Sequence, residues 1–171
     1  MNDFVKTDIF EHTGFILDRM SKEGVVCSVV DNDMNTNLIT LGWGLIGRSY
    51  RGRPMFVIAV TPQRYSYRFL EEVPEFVIGA GGDDIEEKMA LCGRISGRDT
   101  DKFTASGFTP IKGEFVRAPL LKQCYINVEC RIYTKVEPPH MLLTPEHRKR
   151  PLKDQHTIYF AEVMAVWVKN N

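Results

Sequence analysis

The alternation of apolar and polar segments along the chain predicts a protein built mainly of short β-strands. Three segments rich in β-branched and other apolar residues, Val25–Val30, Leu38–Trp43 and Met55–Val60, are predicted to be strands. A run rich in asparagine and aspartate, residues 31–35, separates the first two and predicts a hairpin turn. The third segment is apolar almost throughout, as expected for a strand that is covered on both faces.

Helices are predicted before and between these strands. The segment Asp3–Met20 carries apolar residues at roughly helical spacing and Gly24 ends it, which predicts an N-terminal helical segment over residues 1–23. Thr61 and Pro62 have the residue types of an N-cap and a first helical position, and they predict a helix that continues to Val73. After the next predicted strand, Phe76–Ala80, two more helices are predicted, with starts at Asp83 (supported by Glu86) and Asp99 and ends at Gly93 and Gly107.

The last third of the chain returns to strands. Gln123–Val136 and His156–Lys169 each predict a long strand, and the polar residues 137–155 between them contain four prolines and the basic run His147–Arg150. A connection this long in a small domain predicts a functional loop, an interface arm or a mobile segment. Mostly antiparallel strands with helices at the corners predict a mainly β fold with inserted helices, in the form of a closed or partly open barrel.

Length, charge and cysteine content narrow the classes of protein and partner. A chain of 171 residues without a repeat or a composition break predicts a single domain over residues 1–171. The 22 basic and 22 acidic residues cancel, which argues against nucleic acid as a partner. The apolar stretches are far shorter than the ~20 residues that a membrane span requires, so we expect no membrane association. Four cysteines without a C-x-x-C pair, after a charged N-terminus, predict a cytoplasmic protein with free thiols.

Three segments have residue types suited to a phosphorylated ligand. Residues 35–47 place three glycines around an indole, which favours close approach of a ligand to the backbone, although the same pattern occurs as a bend in barrels. Residues 61–69 combine a helix start with Arg64 and Ser66, which suits an anion, although a solvated surface helix has the same composition. Residues 92–103 form a basic loop with two glycines that matches neither a P-loop nor G-x-G-x-x-G.

The remaining chemically interesting residues give weaker signals. His140, His147 and His156 are irregularly spaced, so no metal site is predicted. Cys92 is either a nucleophile or, as is commoner, a buried thiol. Glu162 interrupts an apolar strand and is either a paired buried acid or a residue of the outer face. None of these residues predicts a catalytic side chain.

Taken in order, these segments resemble those of the flavin reductase-like, flavoredoxin-type family. Members carry a stretch like NLITLGWG, then P-x-R-Y-[ST], then a helix ending in C-G, and directly afterwards S-G-R-D-x-D-K-F. The corresponding stretches here are NLITLGWGLIG, VTPQRYSYRF and LCGRISGRDTDKF, and HTIYFAEVMAVWV is similar to the family's last strand. The likeness covers roughly Val25–Lys169. Ser66 stands where threonine is expected and keeps the hydroxyl.

This resemblance implies a split β-barrel that binds FMN non-covalently, usually at a dimer interface. Carried over by position, the residues beside the flavin ring are Asn37, Thr40, Gly42, Trp43, Cys92 and Gly93. Those assigned to the ribityl phosphate are Arg64, Tyr65, Ser66, Ser96, Arg98 and Lys102. In one subgroup of the family, residues at the positions of His156 and Tyr159 lie near the active site.

The resemblance further implies an oxidoreductase that moves electrons from NAD(P)H through bound FMN to a flavin, a metal complex or a protein acceptor. The cofactor would carry the chemistry, so no catalytic side chain is required. Three alternatives stay open: a flavoredoxin-like electron-transfer protein without its own NAD(P)H site, a non-catalytic flavin-binding protein, and a barrel that binds another phosphorylated ligand. The expected working form is a homodimer with a small-molecule or protein electron donor and acceptor.

Overall fold

The computed structural model describes residues 3–82 and 85–170. The strands in these residues are β1 (Phe4–Thr7), β2 (Val25–Val30), β3 (Thr36–Leu41), β4 (Gly44–Arg48), β5 (Pro54–Val60), β6 (Glu75–Ala80), β7 (Pro110–Ile111), β8 (Leu120–Leu121), β9 (Ile126–Val136) and β10 (Thr157–Lys169). The helices are α1 (Thr13–Lys22), α2 (Tyr65–Glu72), α3 (Glu86–Arg94), α4 (Lys102–Ser106) and α5 (Pro145–Arg148). Single 3₁₀ turns lie at Ile9–Glu11 and Leu152–Asp154.

Eight of the strands form one sheet, and β7 and β8 pair separately. The order in the large sheet is β3-β2-β6-β9-β10-β5-β4, and β1 is added to β10. Every pair of neighbouring strands is antiparallel. Within the described residues no ladder joins β3 to β4, so the sheet stays open along that seam. The prediction of a mainly β barrel with inserted helices is confirmed, in its partly open form.

The long strand β10 connects the two halves of the sheet. It pairs with β9 along most of its length, with β5 through Thr157–Glu162, and with β1 through Val166–Lys169. Its register with β9 shifts twice, between Phe160 and Ala161 and between Val163 and Ala165. Such irregularities bend a strand and increase its twist. The bends allow one continuous strand to exchange β5 for β1 as its second neighbour.

The strand β2 separates two apolar layers because both of its faces are buried. Inside the sheet, its odd-numbered valines join the main core with large side chains such as Phe56, Ile58 and Phe76. On the outer side, Val26 packs with Leu38 of β3 and with α3 and α4. Burial of apolar area at about 25 cal/mol per Å² therefore fixes α3 and α4 against β3. This outer layer positions the candidate site.

The N-terminal segment departs from the prediction of a helix over Asp3–Met20. Its first part is the strand β1, with Phe4 opposite Lys169 of β10, and only Thr13–Lys22 is helical. Phe4 is buried in a cluster with Ala165 and Trp167, so pairing with β10 satisfies both its backbone and its side chain. The helical spacing of Phe4 with later apolar residues was therefore misleading, because tertiary contacts override a weak periodic signal.

Several predicted helix boundaries are wrong by a few residues. Thr61 and Pro62 belong to a turn in which the Arg64 amide donates to the Thr61 carbonyl at 3.0 Å, and Arg64 itself is the N-cap of α2. Asp101, and not Asp99, caps α4 by accepting from the Phe103 amide at 3.0 Å. The helix α3 begins at Glu86 and continues through Gly93 to Arg94. The predicted start at Asp83 lies outside the described residues, whereas the predicted end of α4 at Gly107 is confirmed.

The strand β4 has no counterpart among the sequence predictions. Its glycines are poor strand formers, and at Gly44 the reason for glycine lies in packing. A Cβ on Gly44 would lie 2.8 Å from the Val57 carbonyl oxygen of β5, so glycine is required for this close pairing. The predicted strand Leu38–Trp43 accordingly ends at Leu41, and the chain turns at Gly42 and Trp43 before β4 begins.

The four cysteines are free, as predicted, and all of them are buried. Glu162 lies on the partly exposed side of β10, where it accepts two hydrogen bonds from Arg53 at 2.8 and 3.0 Å. Among the residues that the structure describes, no helix has both the length and the apolar character needed to cross a bilayer.

The hairpin between β2 and β3 contains a residue in an unfavourable backbone conformation. Met34 has a φ of 66° and is 57% exposed, so its side chain contributes little packing to offset the strain. Asparagine tolerates the left-handed region, whereas alanine does not. We expect Met34→Asn to raise the free energy of unfolding by up to about 1 kcal/mol relative to Met34→Ala. Denaturant unfolding of both variants tests this, and equal midpoints would contradict it.

Candidate functional site

Most of the residues predicted to bind a ligand surround one cavity of about 230 Å³. Its walls are β3, the start of α2, the end of α3 and the loop that leads to α4. The predicted residues that line it are Asn37, Thr40, Arg64, Tyr65, Ser66, Cys92, Gly93, Ser96, Arg98 and Lys102. Segments far apart in sequence therefore meet because α3 and α4 pack on the outer face of β3.

A buried hydrogen bond forms the floor of this cavity. Asn37, only 4% exposed, donates from Nδ2 to Oγ of the buried Ser66 at 2.9 Å. Gly97 lies directly over this pair, since an added Cβ would be 2.2 Å from Asn37 Oδ1 and 2.9 Å from Tyr65 Cδ1. Only glycine fits at this position without displacing the buried amide. The sequence predicted a glycine-containing loop over residues 92–103, and this close contact explains why residue 97 is a glycine.

The cavity contains a buried ammonium group. Lys102 is 7% exposed, and its Nζ donates to the Cys92 carbonyl oxygen at 2.6 Å. In the described part of the chain Lys102 has no carboxylate partner, so two of its three N–H donors have no protein acceptor. Burial, and to a lesser extent the nearby Arg64 guanidinium, lower the pKa of Lys102. A buried charge without a counter-charge is costly, which favours an anionic ligand at this point.

The remainder of the lining increases this preference for an anion. Arg64, Arg94 and Arg98 line the cavity together with Lys102, and none of the described lining residues is an aspartate or a glutamate. Arg98 is oriented by a hydrogen bond to the Gln63 carbonyl at 3.0 Å and by its position over the Tyr65 ring. The start of α2 has no side-chain cap, so its first amides are free to donate. Cations and helix amides thus contribute to the same cavity lining.

The uncharged residues of the lining include Thr40 and Cys92. Thr40 donates its hydroxyl to the Met89 carbonyl at 2.8 Å, which fixes β3 to α3. Cys92 is 1% exposed, and burial raises the pKa of its thiol despite the nearby Ser106 and Lys102. The thiol is therefore protonated at neutral pH and is a poor nucleophile. Of the two interpretations of Cys92, the structure supports the buried thiol.

Two predicted residues, Gly42 and Trp43, do not line this cavity. The chain leaves β3 after Leu41, and Trp43 is 46% exposed with its ring edge against His156 at a centroid distance of 5.5 Å. Tyr159 is also remote, since it is buried in the main core and its hydroxyl donates to Glu71 at 2.9 Å. His156 lies against the Trp43 ring and takes part in a second, smaller cavity.

Sequence reasoning missed several residues of the lining. Arg94 and Gly97 belong to the segment that had been singled out, but their individual placement depends on where α3 ends. Gln63 was missed because the turn before α2 was taken as helix. It lines the cavity and donates to the Lys153 carbonyl at 2.7 Å and to Asp154 at 3.0 Å. This contact ties the loop 137–155 to the rim of the site.

In the described residues, no three or more histidine, cysteine, aspartate or glutamate side chains are arranged so that they could hold a metal ion. The candidate site therefore consists of cations, hydroxyl groups, amides and one protonated thiol.

Comparison with protein families connects this geometry to a known class. The model of the flavin reductase like domain matches residues 18–171. The chain belongs to the flavin reductase-like family. The predicted family membership is thereby confirmed, and the fold is that of a split barrel.

Solved structures agree with this fold. The flavoredoxin of Desulfovibrio vulgaris (Miyazaki F) is 23% identical, with a TM-score of 0.68 over 85% of this chain and 69% of that chain. A split barrel domain protein of Shewanella frigidimarina NCIMB 400 is 16% identical, with a TM-score of 0.68 over 93% of this chain and 75% of that chain. At sequence identities this low, the similarity shows a shared fold and nothing further.

Curated relatives are longer than this chain. An uncharacterised protein of Archaeoglobus fulgidus is 22% identical over 138 residues, which are 81% of this chain and 68% of the relative. The chain spans less than half the length of two further curated relatives.

The two glycines of the cavity lining provide a matched test of the site geometry. We expect Gly97→Ala to lower the free energy of unfolding by about 1–3 kcal/mol, because its methyl group overlaps Asn37 and Tyr65. At Gly93 an added Cβ meets only Thr40, at 3.6 Å, so Gly93→Ala is expected to leave stability unchanged or slightly higher. Denaturant unfolding of both variants makes the comparison. Equal stability of the two would refute the close packing assigned to Gly97.

Proposed function

We propose that this protein binds FMN non-covalently in the cavity and transfers electrons from NAD(P)H, through the flavin, to a flavin, metal complex or protein acceptor. The observation that carries the proposal is the buried Lys102, which faces a cavity lined by four basic residues and by no carboxylate among the described residues. A phosphate group supplies the missing counter-charge and accepts several hydrogen bonds at once.

The residues present fit the phosphate end of FMN. Lys102 offers two unused N–H donors, Arg64 has no ion-pair partner in the described part of the chain, and the first amides of α2 are free. Ser66 lies between the α2 amides and Asn37, so its hydroxyl is already oriented. Ser96 and Arg98 complete this side of the cavity. Fixed donors of this kind bind an anion without having to rearrange.

The uncharged residues of the lining suit a flat, largely uncharged ring. We propose that Asn37, Thr40, Cys92 and Gly93 contact it, because they line the same cavity and carry no charge. Bound FMN would supply the hydride and electron transfer, and the protein would bind and orient it. The protonated Cys92 contributes surface and no nucleophile. Gly42 and Trp43 are not part of the site proposed for this cavity.

A flavoredoxin-like electron-transfer role is the second candidate. The likeness to a flavoredoxin structure favours it. Gly42, Gly44 and Gly47 have the spacing G-x-G-x-x-G, but they lie in the turn after β3 and in β4 and open no helix, so they do not form a dinucleotide-binding turn. In that case a protein would replace NAD(P)H as the electron donor. A non-catalytic flavin-binding protein would hold FMN but accept electrons from neither source.

We also propose that the working form is a homodimer. Exposed apolar side chains lie beside the open seam, at Trp43 and Leu45, and on the loop 137–155, at Met141 and Leu143. Exposed apolar groups of this size are typical of association surfaces. A second copy would cover the unpaired edge of β4.

The phosphate assignment predicts different effects on two flavins. Lys102→Met removes the charge and retains an apolar chain, so we expect FMN affinity to fall at least ~10-fold while riboflavin affinity is nearly unchanged. Arg64→Ala is expected to act in the same direction. The control is Lys88→Met, since Lys88 also donates to a backbone carbonyl, that of Ser106, but does not line the cavity. Dissociation constants from fluorescence titration provide the measurement, and equal losses for both flavins would exclude the phosphate assignment.

The redox proposal predicts a change in the visible spectrum. We expect the purified protein to show or acquire the absorption of oxidised flavin when FMN is added, and to lose it anaerobically on addition of NADH or NADPH. Bleaching by dithionite alone would favour the flavoredoxin-like role. Failure to take up FMN would refute flavin binding altogether.

A further inference from the structure

The loop 137–155 exposes a cluster of cations to solvent. Arg148, Lys149, Arg150 and Lys153, here called the basic segment, are all exposed. In the part of the chain that the structure describes, none of their charged groups takes part in an ion pair. Arg148 alone of the four donates a side-chain hydrogen bond there, to the Leu142 carbonyl oxygen at 3.0 Å. The other three charges are therefore free to act on a partner.

The carboxylates of the same loop cancel little of this charge. Glu137 pairs with Lys135 at 2.6 Å, and Asp154 accepts a hydrogen bond from Gln63 at 3.0 Å. Glu146 is then the one carboxylate of the loop without a side-chain contact among the described residues. The chain as a whole is neutral, so the positive charge of the basic segment is a local feature of the surface.

The basic segment lies beside the main cavity. Gln63 lines that cavity, and its side chain donates to the Lys153 carbonyl oxygen at 2.7 Å. Arg64 and Arg94, both exposed, also belong to the lining and carry the positive charge from the loop to the cavity rim. A molecule that approaches the cavity therefore meets an electropositive surface.

The placement of these cations favours a large partner over a small ligand. Arg148, Lys149 and Lys153 line neither the main cavity nor the smaller one, whereas a tightly held phosphate needs donors that converge in a pocket, as around Lys102. Exposed charges spread over a surface instead steer an oppositely charged macromolecule and accelerate its association. A second copy that placed its own basic segment here would be repelled.

We propose that the basic segment docks a small electron-carrier protein with an acidic surface, which reduces the flavin in the main cavity. This inference rests on the proposed function, because the bound FMN is the electron acceptor. Two molecules of a one-electron carrier are oxidised for each FMN that is reduced, and the two protons come from solvent. The basic segment thus specifies the donor for the flavoredoxin-like role.

The test uses an acidic plant-type ferredoxin as the probe. Its binding is measured by calorimetry with and without FMN, and its reaction is followed as anaerobic bleaching of the bound flavin by photoreduced ferredoxin. We expect binding to weaken at least ~10-fold as salt is raised from about 0.01 M to about 0.15 M, because the Debye length falls from about 30 Å to about 8 Å.

Two matched double variants locate the docking surface. Lys149→Gln with Lys153→Gln removes two charges from the basic segment, and Lys112→Gln with Lys122→Gln removes two exposed charges from the loop around β7 and β8. None of these four ammonium groups makes an ion pair or a hydrogen bond within the described residues, so neither variant removes a contact of the fold. At low salt we expect the first to lower ferredoxin affinity and the rate of bleaching ~5–10-fold, and the second to leave both within about twofold.

Several outcomes would overturn the inference. They are equal effects of the two variants, binding that does not depend on salt, and binding of ferredoxin without bleaching of the flavin. Equal slowing of reduction by NADH in the first variant would assign the basic segment to a dinucleotide instead. Ferredoxin binding without FMN uptake would retain the docking surface and refute the flavin proposal, whereas FMN uptake with bleaching by dithionite but no ferredoxin binding would do the reverse.

Discussion

The connection between β3 and β4 constrains the whole molecule. These strands occupy the two ends of the large sheet, yet only Gly42 and Trp43 separate them in the chain. The step from Leu41 to Gly44 spans at most about 10–11 Å even when fully extended. A flat sheet of this many strands, at about 4.8 Å per strand, would hold its ends much farther apart. The sheet must therefore curl until its edges approach each other, and the bends in β10 make that curvature possible.

The same curvature creates the candidate site. The strand β3, at one edge of the seam, has Leu41 in the main core and carries Asn37 and Thr40 in the lining of the cavity. The helices α3 and α4 then cover this outer face and bring Lys102 into a buried position opposite α2. Burial of an unpaired ammonium group opposes folding. The apolar contacts of Phe103, on the same short helix, with Leu38 and Met89 offset that cost.

Local patterns in the sequence were sufficient for the strands and for most of the site. The Asn-rich turn and the apolar runs predicted β2, β3 and β5, and the ordered segments that resemble a known family assigned ten of the residues around the cavity. Two of the failures have a common cause. The strand β1 depends on the free side of β10, and β4 depends on a close approach to β5 at Gly44, so each is decided by a distant partner that no local window contains. The start of α2 fails for a local reason, because Thr61 and Pro62 form a turn that has the residue types of a helix start.

The position of Trp43 shows what the local sequence does not predict about the site. The glycines around it suggested contact with a ligand in the main cavity, but the short turn at the seam directs its ring to the loop 137–155. Composition alone does not distinguish these two directions, because the choice depends on where β3 ends.

The hydrogen bonds from Gln63 to Lys153 and Asp154 join the rim of the main cavity to the loop 137–155. A shift of the loop therefore displaces the turn before α2, and a shift of that turn displaces the loop. By thermodynamic linkage, any effect that the position of the loop has on the affinity of the main cavity for a ligand must be matched by an equal effect of that ligand on the position of the loop.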